Sequence, residues 1–314
     1  MPNDTFGQLW NRVLLYAPDL PPPLAREFVK NTYRLVLDNH YWSELRVDAE
    51  FLIPDNYSTG TVSVINGSPS VVGNGTAFNG THFARQLSVG SIAPWYTIKD
   101  VTSGTSLTLD RPYGGISGTY AYTIGQFYVE FPLDLHVLEK IRDQQNGWYL
   151  VTQWYTIEYL DRVDAKRMST GTPVIAVAAP PRIASNGGLE TLDPGTVVPR
   201  YELWPRSNGI RAYEYRYRKN ASLDTDDTAI ITGVQSDVLI YGALRQAALW
   251  PGTADKPNPH FSQELHATYT KLYEDALNYS IKNDLDVNQQ MVQIGDDITR
   301  RFPFDAKYLQ DHIW

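Results

Sequence analysis

With 314 residues, a formal net charge of −8 and no cysteine, the chain is long enough for two domains, or for one domain with an insertion. It cannot form a disulfide, a zinc–thiolate centre, an iron–sulfur cluster or a thiol nucleophile. The acidic balance argues against a protein whose main task is gripping nucleic-acid backbone, since each phosphate contact calls for Lys or Arg.

The opening MPNDTFGQLWNRVLLYAPDLPPP has no basic segment followed by a long apolar run, and no window of about 18 uncharged apolar residues occurs anywhere. A soluble chain with neither cleaved signal nor membrane anchor is expected. Asp4 or Thr5 can cap a first helix carrying Leu9, Trp10, Val13 and Leu14. Pro21-Pro22-Pro23 then starts a second helix, over 22–40, because first-turn N–H groups need no helical partner. Its apolar stripe reads as Leu24, Phe28 and Leu35, with Val29 and Val36 beside it.

From Pro54 to about Gly125 the composition shifts to Gly, Ser, Thr and Asn. Short β-type runs (Thr61–Ile65, Val71–Val72, Tyr96–Val101, Ser106–Leu109, Thr119–Thr123) alternate with turn signals at Asn66-Gly67, Asn74-Gly75, Ser103-Gly104 and Gly114-Gly115. This predicts a small antiparallel barrel or sandwich over 55–126, inserted into a helical host. Within it VVGNGTAF begins like a dinucleotide loop, but Phe78 stands where the third glycine belongs and no helix pattern follows. Its glycines read as a tight turn with positive φ, flanked by Val72 and Phe78 as packing residues.

Helical signals resume over Leu133–Arg142 and Trp154–Lys166. Residues 172–218 read as strands, and in RAYEYRYRK the tyrosines alternate with charges as in a strand with one wet face. Asp237–Trp250 is apolar nearly all round, the mark of a helix buried by its neighbours or at a subunit contact, and Pro251-Gly252 ends it. The next helix, 262–282, is capped by Ser262 and repeats Leu265, Tyr269, Leu272, Ala276 and Tyr279 at spacings of four and three. The remaining segment, 284–314, is apolar without a strong period and is expected to lie extended across another surface. The expected fold is therefore α+β: a helical-bundle body (1–54 and 127–283, with a β-segment at 172–218), an inserted β-module (55–126) and an extended C-terminal tail.

Motifs for chemistry are sparse. The six histidines, His40, His82, His136, His260, His266 and His312, show no metal-ligand spacing. Neither a phosphate-binding GxxxxGK[ST] nor a nucleophile elbow GxSxG occurs. Asp224-Thr225-Asp226-Asp227 lacks the glycine and glutamate of a calcium loop, where Ala229 and Gln235 stand instead. Seven Asn-x-Ser/Thr triplets occur, four of them better explained as turn chemistry in the β-module. No catalytic, cofactor or metal site is expected, and no enzyme. With 12% aromatic residues, glycan binding or hydrolysis is the alternative.

The order TFGQLWNRV, PLAREFVKNTYRLVLDNHYWSEL, β-rich insert, FYVEFPLD, strands flanked by Trp-Pro, SDVLIYGALRQAALWPG and a Leu/Tyr heptad helix resembles the head–tail connector (adaptor) proteins of tailed bacteriophages. The insert, VSVINGSPSVVGNGTAF with YTIKDVTSGTSLTLDRPYGG, is similar to a β-module recurrent in phage structural proteins. The resemblance implies a virion protein of the neck, assembled in the host cytoplasm as a twelve-membered ring beneath the portal. That ring would continue the DNA channel without sequence-specific binding and offer a platform to downstream tail or nozzle proteins. It implies no chemistry, cofactor or membrane anchor. On this chain it places ring contacts on Leu265, Tyr269, Leu272, Ala276 and Tyr279, and portal contacts on Phe302, Phe304, Tyr308, Leu309, Ile313 and Trp314. Minimal adaptors are shorter and mostly helical, so segments 55–126 and 172–218 depart from the pattern.

Overall fold

The computed structural model describes residues 4–90, 94–185, 189–254 and 256–301, the last sixteen of these as backbone only. The chain forms two compact units, one made of its two ends (up to Arg46 and from Asn220 onward), the other of Val47–Lys219. Strand outweighs helix, 33% against 28%, so the expected helical-bundle body is corrected: the protein is mostly β.

Five helices occur among the described residues: α1 (Phe6–Tyr16), α2 (Pro22–Asn39), the short α3 (Ile157–Val163), α4 (Ser236–Ala247) and α5 (Gln263–Arg301). All but α3 belong to the unit of chain ends. Thr5 caps α1 in a reciprocal capping box with Gln8. In α2 the buried face is Ala25, Val29, Tyr33 and Val36, whereas Leu35 is 52% exposed. The expected stripe is thus rotated, because the helix turns its smaller and aromatic residues inward. α4 is surrounded by α1, α2 and α5, which accounts for its all-round apolar character. Gly242 sits where an added Cβ would lie 2.3 Å from the Thr32 methyl, so α4 and α2 approach as only glycine permits. The helix α5 runs through Arg301. The first part of the expected extended tail is therefore helix, and Phe302, Phe304, Tyr308, Leu309, Ile313 and Trp314 lie outside the described residues.

The second unit opens with β1 (Arg46–Ile53). Seven strands follow: β2 (Thr61–Val64), β3 (Ser70–Asn74), β4 (Gln86–Val89), β5 (Trp95–Ser103), β6 (Ser106–Leu109), β7 (Gly118–Tyr120) and β8 (Tyr122–Gly125). They form one antiparallel sheet in the order β7-β2-β3-β6-β5-β4-β8. Only Ala121 separates the two edge strands in the chain, so a single segment pairs with β2 and then with β4 and curls the sheet onto itself. Alternating residues fill its interior: Val62 and Val64, Leu107 and Leu109, Leu87, Ile98 and Ile124.

In VVGNGTAF the two glycines serve different ends. Gly75 has φ +67°, while a Cβ on Gly73 would lie 2.1 Å from Thr76 Oγ1. Phe78 is buried as expected, but Val71 packs inward in place of Val72, which is 55% exposed. The reason is the two-residue period, which can bury only one of two adjacent valines.

The rest of the unit comprises β9 (Tyr128–Glu130), β10 (Leu135–Asp143), β11 (Thr170–Gly171), β12 (Ile175–Ile183), β13 (Val197–Trp204), β14 (Arg206–Ser207) and β15 (Arg211–Lys219). They form the sheets β1-β15-β10 and β12-β13-β9 and the parallel pair β11-β14. The segment Leu133–Arg142, expected as helix, is strand β10. Its pairing with β15 shifts between Leu135 and Val137 and again between Leu138 and Lys140. These bulges convert a period of two into an inward series Leu135, Leu138, Ile141 that imitates helical spacing. The helix expected over Trp154–Lys166 shrinks to α3, because the Asp164 carboxylate accepts the N–H groups of Met168 and Ser169 and turns the chain. In β15, Tyr213, Tyr215 and Tyr217 face inward and the charges outward, as the alternation predicted. Since β1 and β15 are neighbours, the inserted unit begins and ends on adjacent strands.

Candidate functional site

The ring-contact candidates do not share one environment. Along α5 the fully buried line is Tyr273, Leu277, Ser280 and Asp284. Tyr269 and Ala276 pack partly against the same core and Leu265 is half-buried. Leu272 and Tyr279, seven residues apart on one face, are 38% and 55% exposed; Leu285 is exposed as well, but about 120° round the helix from Tyr279. The helix thus has one apolar line used by its own unit and a second that faces outward.

At the inner line, Asp284 is nearly inaccessible and accepts hydrogen bonds from Ser43 N at 3.2 Å, Ser43 Oγ at 2.5 Å and His40 Nε2 at 2.8 Å. It ties α5 to the chain just beyond α2, where Trp42 is buried with its Nε1 donating to Val36 O at 2.9 Å. The sequence had left Asp284 in the expected tail; its signal is the Tyr273-Leu277-Ser280-Asp284 spacing, which continues the helical period. Similarly, Asp226 of the acidic turn receives Trp10 Nε1 at 3.0 Å and the Arg26 guanidinium, so this turn holds α1 and α2. Among the described residues no group of three or more His, Asp or Glu side chains is placed to hold a metal.

The inserted unit contains a cleft of about 370 Å³ between the curled sheet and the β12–β13 hairpin. Thr97, Ile98 and Lys99 of β5 form one wall, Pro181, Arg182 and Ile183 of β12 the other, with Phe83, Asp110, Ser185 and Arg200 completing it. Arg182 is saturated: it makes a bidentate pair with Glu130, a further pair with Glu190, and lies 5.5 Å from the Phe83 ring centre. These carboxylates push its pKa up, and Arg182 in turn holds Glu190 below the usual carboxylate range. Arg200 donates Nε to Pro180 O at 2.5 Å and stacks 4.3 Å over Tyr128. The Asp110 Oδ1 accepts Thr97 N at 3.1 Å. Asp110 is the only carboxylate among the described lining residues, whereas glycoside hydrolysis uses two facing ones. Among the described lining residues no second carboxylate faces Asp110.

A second polar cluster lies at Arg85 and Arg206, both buried. Arg85 Nη2 donates to Asp55 O at 2.6 Å, and burial draws its pKa down to about 10. Arg206 rests on the Trp95 ring at 4.4 Å. Trp154 is 82% exposed on the connection before α3, and Trp148 and Tyr149 are about half-exposed after β10. Sequence reasoning missed the cleft because its walls are about 80–100 residues apart in the chain and no local pattern marks their approach. Compared with known protein families the chain matches none, and it has no significant match among curated proteins.

Proposed function

We propose that this protein is a non-enzymatic assembly protein of the virion neck, a head-to-tail adaptor that forms a ring beneath the portal and passes the arrangement on to tail components. The observation that carries the reading is the double apolar character of α5: Tyr273 and Leu277 serve the core, and Leu272 and Tyr279 share an outward face. A head-to-tail ring uses two different patches on every subunit and so needs apolar surface beyond one core. The order of segments supports the same reading. The body of such a ring subunit is here a small four-helix unit carrying a larger β unit, in place of a helical bundle.

Size-exclusion chromatography with light scattering, alone and with portal rings, is the direct test. The expected result is a closed oligomer, free or on the portal, and Leu272→Asp with Tyr279→Asp is expected to abolish it while leaving the circular dichroism unchanged. A chain that stays monomeric and ignores portal rings overturns the proposal. Removing only residues 302–314 tests the portal contact, because it spares Asp284 and the described length of α5.

A further inference from the structure

Beyond the assembly reading, we propose that the cleft between β5 and β12 binds an acidic monosaccharide unit, a hydroxylated ring bearing a carboxylate. Its volume of about 370 Å³ falls within the roughly 300–1,000 Å³ of ligand clefts. Of three cations in the lining, Arg182 is spent on Glu130 and Glu190 and serves as a wall. The other two remain available. Lys99 is exposed and makes no ion pair among the described residues. Arg200 engages only its Nε, leaving both Nη groups free to donate while Tyr128 and Pro180 fix the guanidinium plane. Lys99 and Arg200 therefore offer charge-assisted donors to one carboxylate.

The other lining groups select the remainder of the ligand. Asp110 lines the cleft with one oxygen committed to Thr97 N, which leaves the second as an acceptor for a ligand that donates. Sulfate, unprotonated at neutral pH, has nothing to donate there, whereas sugar hydroxyls donate. Phe83 and the 65% exposed Ile183 give the apolar surface against which the C–H face of a sugar ring packs. The combination of a cationic pair, one acceptor and an apolar wall matches a uronic-acid residue better than a neutral sugar or a bare anion.

The experiment is a titration of the full chain with glucuronate, galacturonate, the matching neutral hexoses, acetate and inorganic phosphate, followed by amide chemical shifts and calorimetry. At least one uronate is expected to bind with shifts centred on Phe83, Thr97–Lys99 and Ser185. The neutral hexose and acetate are each expected to bind about tenfold or more weakly, the worth of one charge-assisted contact. Lys99→Gln, exposed and so expected to melt as the parent does, should weaken uronate binding by about the same factor. The proposal is overturned if no uronate shifts these residues at roughly 50 mM, if hexose, acetate or phosphate binds as well, or if Lys99→Gln and Arg200→Gln bind like the parent. None of these outcomes bears on ring assembly.

Discussion

The two units of this molecule bury polar groups to different ends. In the helical unit each buried polar group ends or tethers an element that apolar spacing already specifies. Asn258 Nδ2 donates to Ala247 O and Trp250 O beyond α4, Thr32 Oγ1 donates to Phe28 O and receives Gln246, and Asp284 gathers His40 and Ser43. In the β unit guanidinium groups are taken inside: Arg167, buried between Glu202 and Asp161; Arg182, half-buried between Glu130 and Glu190; and Arg206, buried on Trp95 with Nε and Nη1 lacking hydrogen-bond partners. The lesson is that the helical core answers mainly to packing, whereas the strand connections of the β unit are held by charges, which respond to pairing and to pH.

The comparison breaks most visibly at Trp42, whose indole is 1% exposed in the helical core. Trp42→Ala is expected to cost about 3–5 kcal/mol through the cavity and the lost bond to Val36 O. Hydrogen exchange should accelerate in α1, α2, α4 and α5 and stay unchanged in β2–β8; equal acceleration in both units would show that they unfold together. Next comes Glu202→Ala, which leaves Arg167 buried without its main partner and is expected to cost about 3 kcal/mol, confined to the β unit. Glu202→Leu should recover part of this only if Asp161 suffices for Arg167; chemical denaturation of both variants decides it. Asp284→Ala strips acceptors from Ser43 and His40 and is expected to cost about 2 kcal/mol, seen as a lower denaturation midpoint for the helical signal alone. A variant as stable as the parent would mean that water replaces the carboxylate.

The same contrast explains what the chain disclosed in advance. Helices α1, α2, α4 and the start of α5 were legible because caps at Thr5 and Ser262, prolines at Pro21–Pro23 and Pro251, and apolar spacing all point one way. The turns of the curled sheet were legible through Asn-Gly pairs, as Gly67 and Gly75 both take positive φ. Strand β10 was not, because two bulges disguise its period, and neither was the continuation of α5, because its polar tether at Asp284 interrupts the apolar pattern. The predominance of strand was hidden for a related reason: β12–β13 and β10–β15 pair residues as far apart as Ile175 with Trp204 and Leu135 with Lys219, and local patterning does not record such partners. The cleft shares this origin, since Lys99 and Arg200 come to line it together only through tertiary packing.

His82 sharpens the comparison with the smallest effect. It is buried beside Tyr57 and Phe78 in the curled sheet, and its Nδ1 accepts Asn79 N–H at 3.1 Å. Burial, followed by the positive charge of Arg85, lowers its pKa below the ordinary 6.5. The unfolded chain then takes up a proton at higher pH than the folded one. The neutral imidazole's contribution is accordingly intact above the unfolded pKa and is lost as pH falls from there through the folded value. The β unit should therefore lose stability between about pH 7 and pH 5, and His82→Gln, which keeps an acceptor without titrating, should flatten that slope. Glu190, whose pKa is lowered by Arg182, adds a loss at more acidic pH, below the ordinary carboxylate range. Melting curves read on the β unit from pH 8 to pH 5 test this, and an identical slope in His82→Gln would move the pH response away from His82.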